Sequence, residues 1–402
     1  MIYKTHFDLR SSLVEATRPE MPCKIILKWT RYFMVASGAL QIRTSSRISK
    51  IIYTFWAHLS HAYYFFFCVS LSIGAIYADD QEKLDYAKET ILLCLLLLWK
   101  LAISCSNQIL RVVEEVQEVE AKITAGEITR IYDGNCSHNY KIFFFLTSLY
   151  FSTCYLYSSN AIQQWRLMQT GAERKSLLFP GWYPFDSDRY FDLAYFYQIT
   201  IGFFIVLYSS TCDSLFISLV NFATARLAIL GYELEHLGTS STRGKLPVYD
   251  CLRKIVKEHK EIIRYVENLN AMLRWYFFGD FLVGSYHVSL AIINVRHHLY
   301  EESIFFHSFY LMYILSQVCC LYFHINELIL ESTNLSRKIY EGEWYDQSLE
   351  VKRSLLIVMM RCRKPLILTI GNFGVINNNL FVKILKAAYT FLLYQMLDIL
   401  RT

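Results

Sequence analysis

The segment "KILKAAYTFLLYQMLDILRT" sets polar groups into a run that is otherwise apolar enough to lie in a membrane. Leu392, Gln395 and Met396 stand at i, i+3 and i+4, so they share one helical face. An amide flanked by two large apolar side chains suits either of two situations. Around a water-filled pore, an apolar ring blocks ions by dewetting and an amide coordinates a passing cation. Between packed helices, the same residues only fill space. Lys383 and Lys386, earlier in the segment, either edge a conduction path or snorkel to an interface. Elsewhere, three charged residues interrupt apolar stretches: Lys100, Asp213 and Asp280. A proton-coupled transporter would need a chain of such charges, and these are few.

Catalytic chemistry finds little support. His58 and His61 lie at i, i+3 but have no carboxylate or thiolate at ligand spacing, a pattern more typical of a core pair than of a metal site. No H-E-x-x-H, G-x-S-x-G, P-loop or G-x-G-x-x-G occurs. The sequence therefore predicts neither an enzyme nor a cofactor.

The elements that position these residues are apolar helices. Of the 402 residues 54% are hydrophobic, 16% aromatic and only 19% charged, too apolar for a soluble domain. The net charge of +5 does not suggest nucleic acid, and the polar stretch 1–24 has no apolar region of the kind a cleavable signal peptide needs. A span takes about 20 apolar residues. Seven runs qualify: 51–77, 91–110, 141–160, 193–222, 275–295, 304–325 and 379–400. The stretch 28–43 is shorter and basic at both ends, and reads as an interfacial helix.

Lys and Arg set the orientation. Alternate segments outside the spans hold 29 on one side and 8 on the other. This places the N-terminus inside and the C-terminus outside, the reverse of a G-protein-coupled receptor. The tripeptide Asp188-Arg189-Tyr190 then lies on the outer side, where no G protein could meet it, and all six prolines fall outside the spans. None of the 11 cysteines falls in an outer loop, so no outer disulfide is expected. Asn135 and Asn334 head glycosylation triplets in predicted inner loops and should be unmodified. Segment 248–273 has helical period, with Ile255, Ile262, Ile263, Val266 and Leu269 on one stripe. It runs without a breaker into the fifth span, which predicts a single helix roughly 70 Å long. The fourth and sixth spans continue inward likewise.

The chain is thus read as an all-α membrane protein. It comprises an N-terminal segment (1–50) with an interfacial helix, spans one to four (51–222), an inner helical anchor (223–274), spans five and six (275–325), more anchor (326–378) and a last helix (379–402).

The run from Lys338 to Leu397, "KIYEGEWYDQSLEVKRSLLIVMMRCRKPLILTIGNFGVINNNLFVKILKAAYTFLLYQML", resembles the C-terminal third of insect odorant receptors. That family carries a WY-D pair, a basic MMR-x-x-K-P-L helix, a tight turn and an IL-K-x-x-Y pattern. "LLFPGWYPFD…YFDLAYFYQ" is similar to its aromatic outer loop, and "EHKEII" to its H-x-x-I motif. The sister gustatory receptors end in T-Y-x₅-Q-F, where this chain has Ala388 and Met396 at the Thr and Phe positions.

The resemblance implies a multi-pass plasma-membrane protein of sensory neurons, a subunit of a four-subunit, odorant-gated, non-selective cation channel. The last helix would line the pore, with Leu392, Gln395 and Met396 at the gate, and the inner helices would form the intersubunit anchor. The short loop 223–274 implies an odorant-tuning subunit that assembles with co-receptor subunits. The odorant would sit in the outer half of the bundle, in an apolar aromatic cavity with one or two hydrogen-bonding groups. The candidates are Tyr150, Thr153, Cys154, Tyr157, Tyr197, Ile201, Tyr286, His287, Phe306, Tyr310 and Tyr313. Tyr310 and Tyr313 share a face and are spaced to bracket a ligand; for each tyrosine taken singly, ordinary interhelical packing is the competing reading. A gustatory-type channel of the same superfamily is the first alternative. A transporter would need a chain of intramembrane charges and inverted repeats, and neither is evident.

Overall fold

Six of the seven apolar runs each lie along one helix, and 91–110 is divided between two, in the computed structural model, which describes residues 25–40, 47–77, 81–123, 126–171, 176–187, 189–237, 247–297 and 304–399. The helices are α1 (Lys28–Ala36), α2 (Arg47–Ile76), α3 (Gln81–Ser104), α4 (Asn107–Glu120), α5 (Gly126–Gln169), α6 (Phe191–Glu235), α7 (Val248–His297), α8 (Ile304–Glu341), α9 (Leu349–Cys362) and α10 (Asn378–Ile399). A two-residue hairpin, β1 (Thr369–Ile370) with β2 (Gly374–Val375), precedes α10 and supplies the tight turn. Among the described residues, α2, α6, α7 and α8 are long and apolar enough to cross a bilayer, and the α3–α4 pair adds a fifth if taken as one broken span. Helices α5 and α10 are not among them.

The centre is α6. Its stretch from Leu207 to Ala223 is buried at every position, as in a helix surrounded by other helices, and the polar residues Asp213, Ser218 and Asn221 are buried there with partners on neighbouring helices. Helices α5 and α8 flank it along most of its length. Helix α7 runs for 50 residues, about 75 Å, and α6 and α8 also continue past their apolar runs, as the sequence predicts. At the end of the bundle formed by the extensions of α6, α7 and α8, Leu252, Ile255, Ile262, Val266 and Leu269 are buried in the main core. His259 is buried there too, and its imidazole is held below its ordinary pKa by desolvation and by nearby Arg361. The hairpin docks on α7: the Gly371 amide donates to the Arg274 carbonyl at 2.8 Å, and the Thr369 amide to Asn270 Oδ1 at 2.8 Å.

Two expectations are corrected. The second span is not one helix to residue 110. It stops at Ser104, and α4 restarts under a Ser106 cap, its Oγ accepting from the Ile109 amide, with a bend of 52°. The stretch 28–43 is helical only to Ala36, because the chain turns at Gly38 (φ 75°), where a Cβ would lie 2.9 Å from Ala57. Helix α1 is also not a purely interfacial element. Thr30 and Met34 are buried, Thr30 Oγ1 meets Ser218 Oγ at 3.2 Å, and Asn139 donates to both the Ile26 carbonyl and Ser218. Glu120 accepts from the Ile26 amide at 2.7 Å and from the Tyr132 hydroxyl. Short polar side chains therefore tie this helix to α5 and α6, where its basic residues suggested a lipid surface.

Candidate functional site

Helix α8 presents Phe306, Tyr310 and Tyr313 one turn apart. Tyr310 lies 5.9 Å from each of the other two, ring centre to ring centre, and is stacked on Phe306. Helix α5 approaches this row from the side. Tyr157 stands 6.1 Å from Phe306, and Tyr150 stands 4.5 Å from Tyr313. These distances are those of favourable aromatic pairs. The result is an unbroken chain of five rings, Tyr157–Phe306–Tyr310–Tyr313–Tyr150, shared by two helices.

Helix α7 adds one polar contact: His287 Nε2 meets the Tyr310 hydroxyl at 2.6 Å. Phe179 of the segment before α6 closes on Tyr157 at 6.3 Å, and Gln198 pins that segment through the Phe179 amide (3.0 Å) and carbonyl (2.8 Å). Gly202 on α6 explains why Tyr157 can lie flat against that helix, since a Cβ there would stand 2.8 Å from the ring. The row is therefore apolar, aromatic and sparsely polar, suited to a small ligand with few hydrogen-bonding atoms.

The other sequence candidates are distributed differently. Thr153 is buried but bonds its own helix at the Leu149 carbonyl, and Cys154 is half-buried beside it. Ile201 is fully buried in the main core. Tyr197 belongs to a second aromatic set, 4.7 Å from Tyr63 of α2, with its hydroxyl on the Tyr63 carbonyl. Tyr286 is half-buried on α7 next to His287. Helix α10 runs through Leu392, Gln395 and Met396, but their side chains lie outside the described residues. An open apolar cleft of about 560 Å³ lies on another face of α8, lined by Leu311, Met312, Leu315 and Cys319 with Phe145 and Phe381, and shares none of the five rings.

Charge pairing is the feature that single-residue reading missed. Lys100, Asp213 and Asp280, solitary in the sequence, converge from α3, α6 and α7. The Lys100 ammonium is 2.8 Å from Asp213 and 3.5 Å from Asp280, and all three side chains are under 10% exposed. Tyr150 donates to the free oxygen of Asp213, and Tyr276 donates to Asp280 at 3.0 Å. Tyr150 thus belongs to both the ring chain and the charge cluster. The signal available beforehand was the complementary signs of three charges in separate spans.

A family description, 7tm odorant receptor, matches residues 89–389. Odorant receptor 10 of Aedes albopictus is 27% identical over 219 residues, 54% of this chain and 57% of the relative. Odorant receptor Or2 of Anopheles gambiae is 28% identical over 182 residues, 42% and 47% of the two chains. The matched region spans about half the length of these curated relatives. Among solved structures, the insect olfactory receptor OR5 from Machilis hrabei in complex with eugenol superposes with a TM-score of 0.77 at 17% identity, covering 93% of this chain and 98% of that one. At that identity the superposition establishes the fold, an all-α membrane bundle. The family match takes in about three quarters of the sequence, and on that ground the chain belongs to the 7tm odorant receptor family.

Proposed function

We propose that the chain is the odorant-binding subunit of a ligand-gated, non-selective cation channel in the plasma membrane of olfactory neurons, assembled as a tetramer with co-receptor subunits. The observation that carries this reading is the five-ring chain on α5 and α8, which His287 of α7 meets at the Tyr310 hydroxyl. A volatile has few polar atoms and gains affinity mainly by burying apolar surface, at about 25 cal/mol per Å². An aromatic row with few hydrogen-bonding groups matches that chemistry. The similarity in fold to a receptor bound to eugenol supports the same class of ligand.

In this reading the N-terminus is cytoplasmic and the C-terminus external, following the distribution of Lys and Arg. Helix α10 lines the pore, with Leu392 and Met396 as the apolar seal and Gln395 beside it. The extensions of α6, α7 and α8, with α9, form the anchor between subunits. A gustatory-type channel would share this architecture and differ in ligand.

The test is whole-cell recording from cells expressing the chain with and without an insect co-receptor, against a panel of volatiles. A cation current evoked by at least one volatile, and dependent on this chain, is expected. Volatile-evoked responses identical with the co-receptor alone would remove the proposal.

A further inference from the structure

Lys100, Asp213 and Asp280 hold one ammonium and two carboxylates in the interior of the bundle. A structural ion pair needs only one of each. Were Asp280 neutral, Lys100 and Asp213 would remain a matched pair at 2.8 Å, with the second Asp213 oxygen accepting from Tyr150. The second carboxylate therefore adds desolvation cost that the fold does not require. It is also the more loosely held of the two. Its 3.5 Å separation from the ammonium exceeds the 2.7–2.9 Å of a charge-assisted hydrogen bond, and the oxygen it offers is already engaged by Tyr276. Lys100 is thus shared unequally, and a displacement of less than about 1 Å would complete or break its hold on Asp280.

Both sides of this cluster lead somewhere. Upstream, the Tyr150 hydroxyl holds Asp213 while its ring lies 4.5 Å from Tyr313, the end of the aromatic row. Downstream, Asp280 sits on α7, which carries Ser289 nine residues, or about 13 Å, further along. The Ser289 hydroxyl donates to the Ala388 carbonyl of α10 at 3.0 Å, and α7 packs along α10 more extensively than any other helix does.

We infer that Lys100, Asp213 and Asp280 are positioning residues that couple occupancy of the aromatic row to the last helix, a step that rests on the channel reading above. At rest, the ammonium bridges Asp213 and Asp280 and clamps α7 to α3 and α6. A ligand that turns Tyr150 or Tyr313 withdraws the Tyr150 hydroxyl from Asp213. Asp213 then takes the ammonium to itself, Asp280 is released, and α7 is free to move against α10.

The test is the resting, odorant-free cation current per receptor at the surface, recorded beside an insect co-receptor and normalised to surface label. Asp280→Asn removes the clamp and keeps the Lys100–Asp213 pair. Tyr150→Phe keeps the ring and removes only the hydroxyl. Each should raise resting current several-fold, whereas Asp280→Glu, which keeps the charge, should stay near the parent. A cluster that only stabilises the fold would change the amount of receptor at the surface and leave current per receptor unaltered; that result in both variants overturns the inference. If Asp280→Asn fails to reach the surface, Tyr150→Phe decides alone. A parent assembly that conducts with no volatile in a broad aromatic panel, eugenol included, defeats the channel reading itself and this inference with it.

Discussion

Replacing Lys100 by methionine tests whether the three intramembrane charges are one unit. At an effective dielectric constant of about 20, contacts of 2.8 Å and 3.5 Å correspond to attractions of about 6 and 5 kcal/mol. The desolvation of each ion opposes them by several kcal/mol, so the intact cluster is near balance. The single substitution upsets that balance. Methionine fills the space of the lysine stem, but two buried carboxylates then face each other without a cation. Breaking a buried ionic group in this way typically costs about 3–5 kcal/mol. That is a large share of the roughly 5–15 kcal/mol by which folded proteins exceed their unfolded states. Lys100→Met should therefore melt well below the parent when detergent-solubilised protein is heated and scored by fluorescence-detected size-exclusion chromatography. The triple variant Lys100→Met/Asp213→Asn/Asp280→Asn, with no charge left to strand, should recover most of the loss. A Lys100→Met protein that melts with the parent would refute the pairing.

Four further outcomes are expected. Truncating Tyr310 or Tyr313 to alanine removes a ring worth about 1–3 kcal/mol of ligand contact, so half-maximal odorant concentrations should rise about tenfold or more; unchanged values for both exclude this face of α8 from the site. Met396→Ser should raise leak through the closed pore and Gln395→Ala should alter ion preference more than leak, while parent-like conduction in both, and in Leu392→Ser, removes α10 from the pore wall. An epitope tag at the C-terminus should stain intact cells, and staining only after permeabilisation reverses the orientation. His259 resists protonation in the folded chain, so the unfolded chain binds more protons below its ordinary value of 6.5 and stability falls as pH drops through it, by at most about 1.4 kcal/mol per pH unit. Melting temperatures of His259→Gln between pH 5 and 7 should show a shallower acid slope than the parent's; parallel curves would assign the slope to other groups.

The helices were legible because apolar length and period are local properties of a chain. Segment 248–273 carries its stripe of Ile255, Ile262 and Val266 straight into an apolar run, and α7 is correspondingly unbroken. The two misreadings have different causes, a local helix cap in one and partners distant in sequence in the other. Nothing near Ser106 announces a 52° bend except a serine with helix-capping chemistry, a weak sign inside an apolar run. The basic character of 28–43 pointed to a membrane surface, yet Asn139, Ser218 and Glu120, each about 90 or more residues away from Ile26 or Thr30, draw the segment into the bundle.

The site divides along the same line. Phe306, Tyr310 and Tyr313 follow from one helix's period, but their junction with Tyr150 and Tyr157 depends on how α5 meets α8. That meeting separates Tyr150, at the end of the row, from Tyr197, which turns to Tyr63 instead. Lys100, Asp213 and Asp280 make the point most sharply. Taken singly, each is an unexplained cost in a membrane helix, and a transporter-like chain of charges is the natural suspicion. Taken together, they leave one carboxylate, Asp280, in excess of what pairing needs, placed on the helix that touches α10, while Asp213, on the other side of the ammonium, accepts from the Tyr150 hydroxyl at the end of the aromatic row. In the coupling inferred above, that second carboxylate acts by being released, and it sits on α7, which meets the last helix through the Ser289 hydroxyl on the Ala388 carbonyl.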